Sequence, residues 1–320
     1  MTASIRPRRR PAVRFAIAVA TVCAAIGLHA CAKGSGYRTF STPEDAVRAL
    51  TDAVKAGNVD DVAAIFGPEG RALIDSSDAT TARRNREVFT AAMAERWRLE
   101  ERGADGRTLV VGNEDWPFPV PLVKDGRGWR FDTAAGKDEI LNRRIGRNEL
   151  SAIQICRTYV VAQHVYASRG HDGAPAGVFA SAFLSDTGKE NGLYWPAGRG
   201  AKRSPLGDLV AKAAEEGTTL GAGGKPTPFH GYYFRILTRQ GAAAEGGAKD
   251  YVIDGRMSGG FALVAWPAEY DATGIMTFVV GSDGIVREKD LGPGTANEAR
   301  RLTAYDPDAS WTPAGAPAAK

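Results

Sequence analysis

Residues 147–167 read RNELSAIQICRTYVVAQHVYA. Ile153, Cys156 and Val160 recur at helical spacing along one stripe, and Ala152, Ile155, Tyr159, Ala162 and Tyr166 along a second. Two apolar stripes mean a helix buried on more than one side. The pattern runs from about Asp138 to Ser168, with a bend expected near Gly146, and predicts a spine packed under the second half of the chain. That second half is strand-like. Tyr232–Thr238, Tyr251–Asp254, Phe261–Trp266, Ile275–Val280 and Ile285–Lys289 are separated by glycine-bearing turns, of which Ser282-Asp283-Gly284 is the clearest. Between spine and strands lie a loop at Gly170–Ala176, a short helix from Ser204-Pro205 to about Glu216, and a glycine- and proline-rich loop at Gly217–Pro228.

Upstream of the spine the order is helices first, then strands. Ser41-Thr42-Pro43-Glu44-Asp45 supplies a hydroxyl cap, a proline for the first turn and acids for the positive helix end. Val47, Leu50 and Val54 continue at helical spacing until Gly57-Asn58. A short helix is expected from about Asp60 to Phe66. A third, from Thr80 to Glu101, would place Phe89, Met93 and Trp97 on one face. Thr108–Val111, Val120–Lys124 and Gly128–Asp132 then read as strands, the last two joined by Asp125-Gly126-Arg127. The chain is therefore expected to be α+β. Expected boundaries are a signal peptide at 1–30, a tether at 31–39, a helix-and-sheet domain at 40–135, a spine-and-sheet domain at 136–311 and a disordered tail at 312–320.

Three resemblances bear on this organisation. FSTPEDAVRALTDAVKAGNVDDVAAIFGPEG and VPLVKDGRGWRFD resemble the opening helices and a hairpin of NTF2-like domains, which implies a curled antiparallel sheet. RNELSAIQICRTYVVAQHVYA, with GYYFRILT and ALVAWPAEYDATGIMTFVVGSDGIVREKD, is similar to the globular part of pilin- and pseudopilin-like proteins. The membrane-embedded helix and prepilin cleavage site of that family do not precede this spine, so the shape is implied and the assembly is not. GLYWP, FHGYYFRILTRQG and GGFALVAWPAEYDATGIMTFVVGSDGIVREKDLG closely resemble an uncharacterised bacterial family, domain of unknown function 2950, over about Phe40–Trp311. That resemblance implies an exported protein and supplies no activity and no catalytic residues.

The whole-chain net charge of +4 reflects the N-terminus, where Arg6, Arg8, Arg9, Arg10 and Arg14 stand without an acid. Without these five, 36 basic residues face 37 acidic ones, a net charge of −1, so bulk electrostatics point to neither nucleic acid nor anionic lipid. The arginines, the apolar run Phe15–Ile26 and the small residues after it form the three parts of an export signal. Leu28-His29-Ala30-Cys31 resembles a bacterial lipoprotein processing box, with His29 where a small residue is usual; lipidation is expected at Cys31. Ordinary cleavage nearby would instead yield a soluble periplasmic or secreted protein. With Cys23 lost and Cys31 lipidated, Cys156 is left as a lone thiol on the spine, expected to be buried and inert.

No residue set completes a catalytic constellation. Cys156, His164, His171 and Asp172 carry metal-ligand chemistry, but eight residues separate the first two, roughly two helical turns, too far for one ion. Glu114 with Asp115, and Glu269 with Asp271, are acids beside Trp116 and Trp266, as a glycoside-cleaving pair would be; both pairs also sit where turns want acids. No Gly-x-Ser-x-Gly or phosphate-loop spacing occurs. Pro117, Pro119, Pro196, Phe229, Tyr232 and Tyr233 accompany the aromatic candidates for a binding surface: Trp116, Phe118, Tyr194, Trp195, Trp266 and Tyr270. Such clusters bind peptide or glycan, and equally seal a domain junction, the reading preferred for proline-flanked aromatics. The expectation is a non-enzymatic envelope protein that binds or organises an envelope protein or glycan. It would have no catalytic residue, cofactor or metal, no nucleic-acid partner, and no membrane contact beyond the lipid. The alternative is a periplasmic hydrolase acting on glycan or peptide, and a subunit of a pilin-like assembly is a third reading.

Overall fold

A computed structural model describes residues 36–71, 79–196, 203–215 and 227–315. The signal sequence, Cys31, most of the tether, residues 217–226 of the predicted loop and the last five residues of the tail lie outside the described residues. The architecture is α+β, with helices and antiparallel sheets.

Helix α1 (Pro43–Lys55) starts where its cap predicts: the Thr42 hydroxyl accepts the Asp45 amide at 3.1 Å. Helix α2 (Val59–Phe66) is capped the same way by Asn58, whose side-chain oxygen accepts the Asp61 amide at 3.1 Å. The third helix, α3 (Ala79–Glu95), is shorter than its expected range. Residues Trp97–Glu101 form strand β1 instead, antiparallel to β2 (Gly106–Val111), with Trp97 opposite Val111 and Glu101 opposite Arg107. Helical propensity in Arg-Leu-Glu-Glu yields here to a ladder of non-local hydrogen bonds. Trp97 thus leaves the face it was expected to share with Phe89 and Met93. Strands β3 (Trp116–Pro117), β4 (Leu122–Asp125) and β5 (Gly128–Phe131) complete the first sheet, ordered β1-β2-β4-β5 with β3 also on β2. Leu50, Ile65, Leu109, Leu122 and Phe131 form the centre of a core between this sheet and the helices.

Helix α4 (Thr133–Ala167) is the spine, 35 residues and so about 52 Å long, and it runs unbroken through Gly146. Its first turn is held by the first half of the chain. The Thr133 hydroxyl donates to the Phe66 carbonyl at 2.5 Å, and at Gly136 a Cβ would fall 2.7 Å from Val120, so only glycine lets the helix meet the segment leading into β4. Further along, Ala152, Ile153, Cys156, Tyr159 and Ala162 are buried against the second sheet, while Ile155 forms a separate small cluster with Phe229, on which Leu209 and Phe234 pack. The two expected stripes therefore do not face two sides: Ile153 and Cys156 of one and Ala152, Tyr159 and Ala162 of the other share one core with the sheet.

The second sheet joins β6 (Tyr232–Leu237), β11 (Ala262–Pro267), β12 (Met276–Gly281), β13 (Arg287–Asp290) and β14 (Thr312–Pro313) in the order β14-β13-β12-β11-β6, all antiparallel. Every residue of β11 is buried, because the spine packs over this part of the sheet and α6 (Thr295–Arg301) also packs on β11. That double cover is why Ala-Leu-Val-Ala-Trp-Pro shows no alternation. Short pairings of β7 (Arg239–Gln240) with β8 (Lys249–Asp250), and of β9 (Val252–Ile253) with β10 (Arg256–Met257), fill the excursion before β11. Helix α5 (Gly207–Glu215) lies in the connection between spine and sheet. The expected disorder from residue 312 is corrected for its first residues: Thr312 and Pro313 pair with Glu288 and Arg287, and the Ala314 amide donates to the Val286 carbonyl at 2.8 Å. Without them β13 would be an open edge.

Candidate functional site

Among the described residues a cavity of about 920 Å³ lies in the first half of the chain. Leu50, Ala53 and Val54 of α1 and Val62 and Phe66 of α2 form one wall, Phe89 and Ala92 of α3 the next. Val111 of β2 and Trp116, Phe118 and Val120 close the sheet side, and Ile140 of the spine reaches its margin. The volume falls within the roughly 300–1,000 Å³ usual for small-molecule sites.

Local chain chemistry places the aromatic lining. Pro117 cannot donate to a ladder, and it sits in the two-residue edge strand β3 opposite Val110. The next amide, of Phe118, donates to the Leu109 carbonyl at 2.7 Å. Phe118 is thereby directed to the centre of a ring cluster, with centroids of Phe89, Trp116, Phe131 and Phe66 at 5.6, 6.1, 6.1 and 6.3 Å. Trp116 is 44% exposed and is braced from outside. The Arg143 guanidinium lies 5.5 Å from its ring centre, donates to the Pro117 carbonyl at 2.7 Å and pairs with Glu139 at 2.8 Å.

At one end of the cavity, α3 is tied to the β2–β3 turn. The Glu95 carboxylate accepts the Asn113 amide at 3.0 Å and Arg96 Nε donates to the Gly112 carbonyl at 3.2 Å. Gly112 has φ 72°, and a Cβ there would stand 3.3 Å from Ala92. Asp115, at φ 53°, pairs with Arg98 and Arg96, and these two guanidiniums hold its carboxyl below the ordinary aspartate value. Asp115 is therefore a turn-locking residue, and only Glu114 of that predicted acid pair reaches the cavity rim.

The other predicted residues separate. Glu269 and Asp271 are both exposed on the connection between β11 and β12. The Glu269 carbonyl accepts the Thr273 amide at 2.9 Å, Asp271 takes φ 60°, and its amide donates to the Gly274 carbonyl at 3.0 Å. The spine holds this same connection: Glu149 Oε1 accepts the Ile275 and Met276 amides at 2.9 and 3.0 Å, and Asn148 donates to the Thr273 carbonyl at 2.8 Å. These acids serve a turn, not a cleft. Of the six aromatic candidates, Trp116 and Phe118 share the cavity and the other four do not join them. Trp195 and Trp266, 5% and 7% exposed, are core side chains of the second half, so neither offers a surface. Tyr194 packs on the same core, and the Tyr270 hydroxyl donates to Asp290 at the end of β13 at 3.4 Å.

The metal-ligand candidates also have separate surroundings. Cys156 is wholly buried under the sheet, and burial pushes its thiol up to about 12. His164 stands edge-on to Phe261 at 5.4 Å. His171 is buried, stacked on Tyr166 at 4.1 Å, with Nδ1 3.0 Å from Glu190 and Nε2 3.0 Å from the Tyr166 carbonyl. Among the described residues no three His, Cys, Asp or Glu side chains converge as a metal-binding group.

Phe66, Phe89, Val54 and Arg86 line the cavity without having been singled out from the sequence as site residues. The apolar stripes of α1 to α3 were the available signal, and they read equally well as ordinary core faces.

These features define an α+β protein in which helices and an antiparallel sheet line an aromatic-rich, partly open cavity, with a spine-and-sheet half after it. The chain belongs to the family described as protein of unknown function (DUF2950), whose profile matches residues 37–314. No curated protein and no solved structure matches it. No described helix is long and apolar enough to cross a membrane.

Proposed function

We propose that this is an exported cell-envelope protein, anchored by lipid at Cys31, that acts by binding and not by catalysis. The single observation that carries the binding reading is the cavity of about 920 Å³ with its aromatic and aliphatic lining. Phe118, at the hub of the ring cluster, is its main anchor. The apolar lining favours an apolar guest over the glycan considered from sequence, whose hydroxyls would need polar partners on desolvation. Export is supported by the arginine-rich leader, the short apolar run and the box ending at Cys31. An NTF2-like first half and a pilin-like second half are part of the same proposal, supported by helices preceding a sheet in one and a helical spine under an antiparallel sheet in the other.

Two measurements test this. Mass spectrometry of the protein from native envelopes is expected to show an N-terminal fragment beginning at Cys31 with added lipid mass; an unmodified, uncleaved N-terminus refutes the anchor. Titration with Nile red, a neutral environment-sensitive dye, is expected to show saturable binding that Val54→Trp, by filling the cavity, abolishes. Absence of saturable binding to the folded protein refutes the binding function.

A further inference from the structure

The cavity is not electrically uniform along its length. Arg86, on α3, contributes to the lining and is half-buried. Among the described residues no hydrogen bond or ion pair engages its guanidinium; the neighbouring Arg83 pairs with Glu87 instead. Glu95, Asn113 and Glu114 lie at the other end, where α3 meets the β2–β3 turn. Nine residues of helix separate Arg86 from Glu95, a span of about 13.5 Å. The apolar wall of Val54, Val62, Phe66, Phe89 and Phe118 belongs to the same cavity.

A partly desolvated guanidinium beside an apolar cavity lacks the anion it would ordinarily be given. A cation that no described residue pairs and carboxylates at the opposite end set a polarity for any elongated guest. The negative end belongs beside Arg86, and the Glu95–Glu114 end rejects a second anion. A guest that matches is one hydrocarbon chain carrying one anionic head.

We propose that the cavity binds a single-chain anionic amphiphile, its alkyl chain against the Phe118 ring cluster and its carboxylate or phosphate on Arg86. This rests on the binding function proposed above and names the ligand class. A neutral or cationic head forgoes the charge-assisted hydrogen bonds, so the preference is for anions.

The test is competition against Nile red on the full processed chain, with four dodecyl compounds that differ only in the head: dodecanoate, dodecyl phosphate, dodecanol and dodecylammonium. At least one of the two anions is expected to bind about tenfold or more tightly than dodecanol, and dodecylammonium most weakly. A preference for dodecanoate or for the phosphate identifies the head. Arg86→Gln is expected to erase the anion preference while leaving dodecanol within about twofold, since only the charge-assisted contacts are lost. An unchanged thermal midpoint shows that the variant still folds. If acid, phosphate and alcohol bind alike, or if Arg86→Gln keeps the preference, the anionic-head proposal is overturned while the cavity-binding function stands. If neither dye nor any dodecyl compound binds, both fall.

Discussion

Gln163 offers a sharp test of how the spine is wired to the second half. Its side chain is completely buried, and both ends of the amide are used. Nε2 donates to the Ala180 carbonyl at 2.8 Å and to the Tyr159 hydroxyl at 3.0 Å, and Oε1 accepts the Ala180 amide at 2.9 Å. The amide therefore acts as a strand-like partner for a loop residue that has no ladder of its own. Gln163→Leu keeps the volume and removes all three bonds. Tyr159 retains the Ala262 carbonyl at 3.2 Å, but the Ala180 N–H and C=O are left buried without partners. Each orphaned group costs about 1–3 kcal/mol, and the apolar replacement returns a part, so a net loss of about 2–4 kcal/mol is expected. With an m-value on the order of 2–3 kcal/mol/M, the urea midpoint falls by about 1 M or more. Trp195, in the same core, reports the transition by fluorescence. A loss under about 1 kcal/mol with an unchanged m-value would show that the loop finds other partners and would refute this account. A matching change at exposed Thr158, whose hydroxyl bonds its own helix at Gln154, is expected to cost no more than about 0.5 kcal/mol.

Further expectations concern the cavity, the buried thiol and the C-terminal strand. Phe118→Ala is expected to weaken Nile red binding at least tenfold and to cost about 2–3 kcal/mol in denaturant unfolding, less than for a fully buried ring because Phe118 is half-buried. Cys156 is expected to resist a thiol reagent at pH 8 until urea unfolds the chain, since the thiolate is the reactive form and burial disfavours it. Its pKa is raised from 9.0 to about 12, so the protonated thiol stabilises the fold fully below about pH 9 and loses that contribution as pH climbs towards 12. Thermal melts between pH 8 and 11 are expected to show a fall that Cys156→Ala reduces; an identical slope in the variant refutes the assignment. Ending the chain at Trp311 removes β14 and the Ala314-to-Val286 bond, and a loss of about 1–3 kcal/mol is expected by calorimetry.

Much of the architecture was legible because it rests on local chemistry. The Thr42 and Asn58 caps mark helix starts by hydrogen bonds made within three residues. The spine announced itself through residues 152–166, whose spacing reflects burial along a helix. The boundary at Trp97 was not legible, because Arg-Leu-Glu-Glu suits a helix and only the partner β2 makes it a strand. The ordering of Thr312 and Pro313 likewise depends on β13, remote in sequence, offering an open edge.

The candidate site divides in the same way. Composition and spacing picked out Trp116 and Phe118 as aromatics clustered with Pro117 and Pro119. They also picked out Trp195, Trp266 and two pairs of acids, since an aromatic or an acid carries the same chemistry whether it ends in a core, a turn or a cavity. Burial of Trp195 and Trp266 and capture of Asp115 by Arg96 and Arg98 are outcomes of packing between segments apart in sequence, whereas the left-handed turn at Asp271 is held by bonds within a few residues, as its sequence suggested. The cavity is of that kind as well. Its walls come from four helices and the first sheet, and the concavity between them belongs to none of them singly. Class, caps and spine are properties of neighbouring residues and are written locally; the cavity, and the place of Arg86 beside it, exist only once those elements have met.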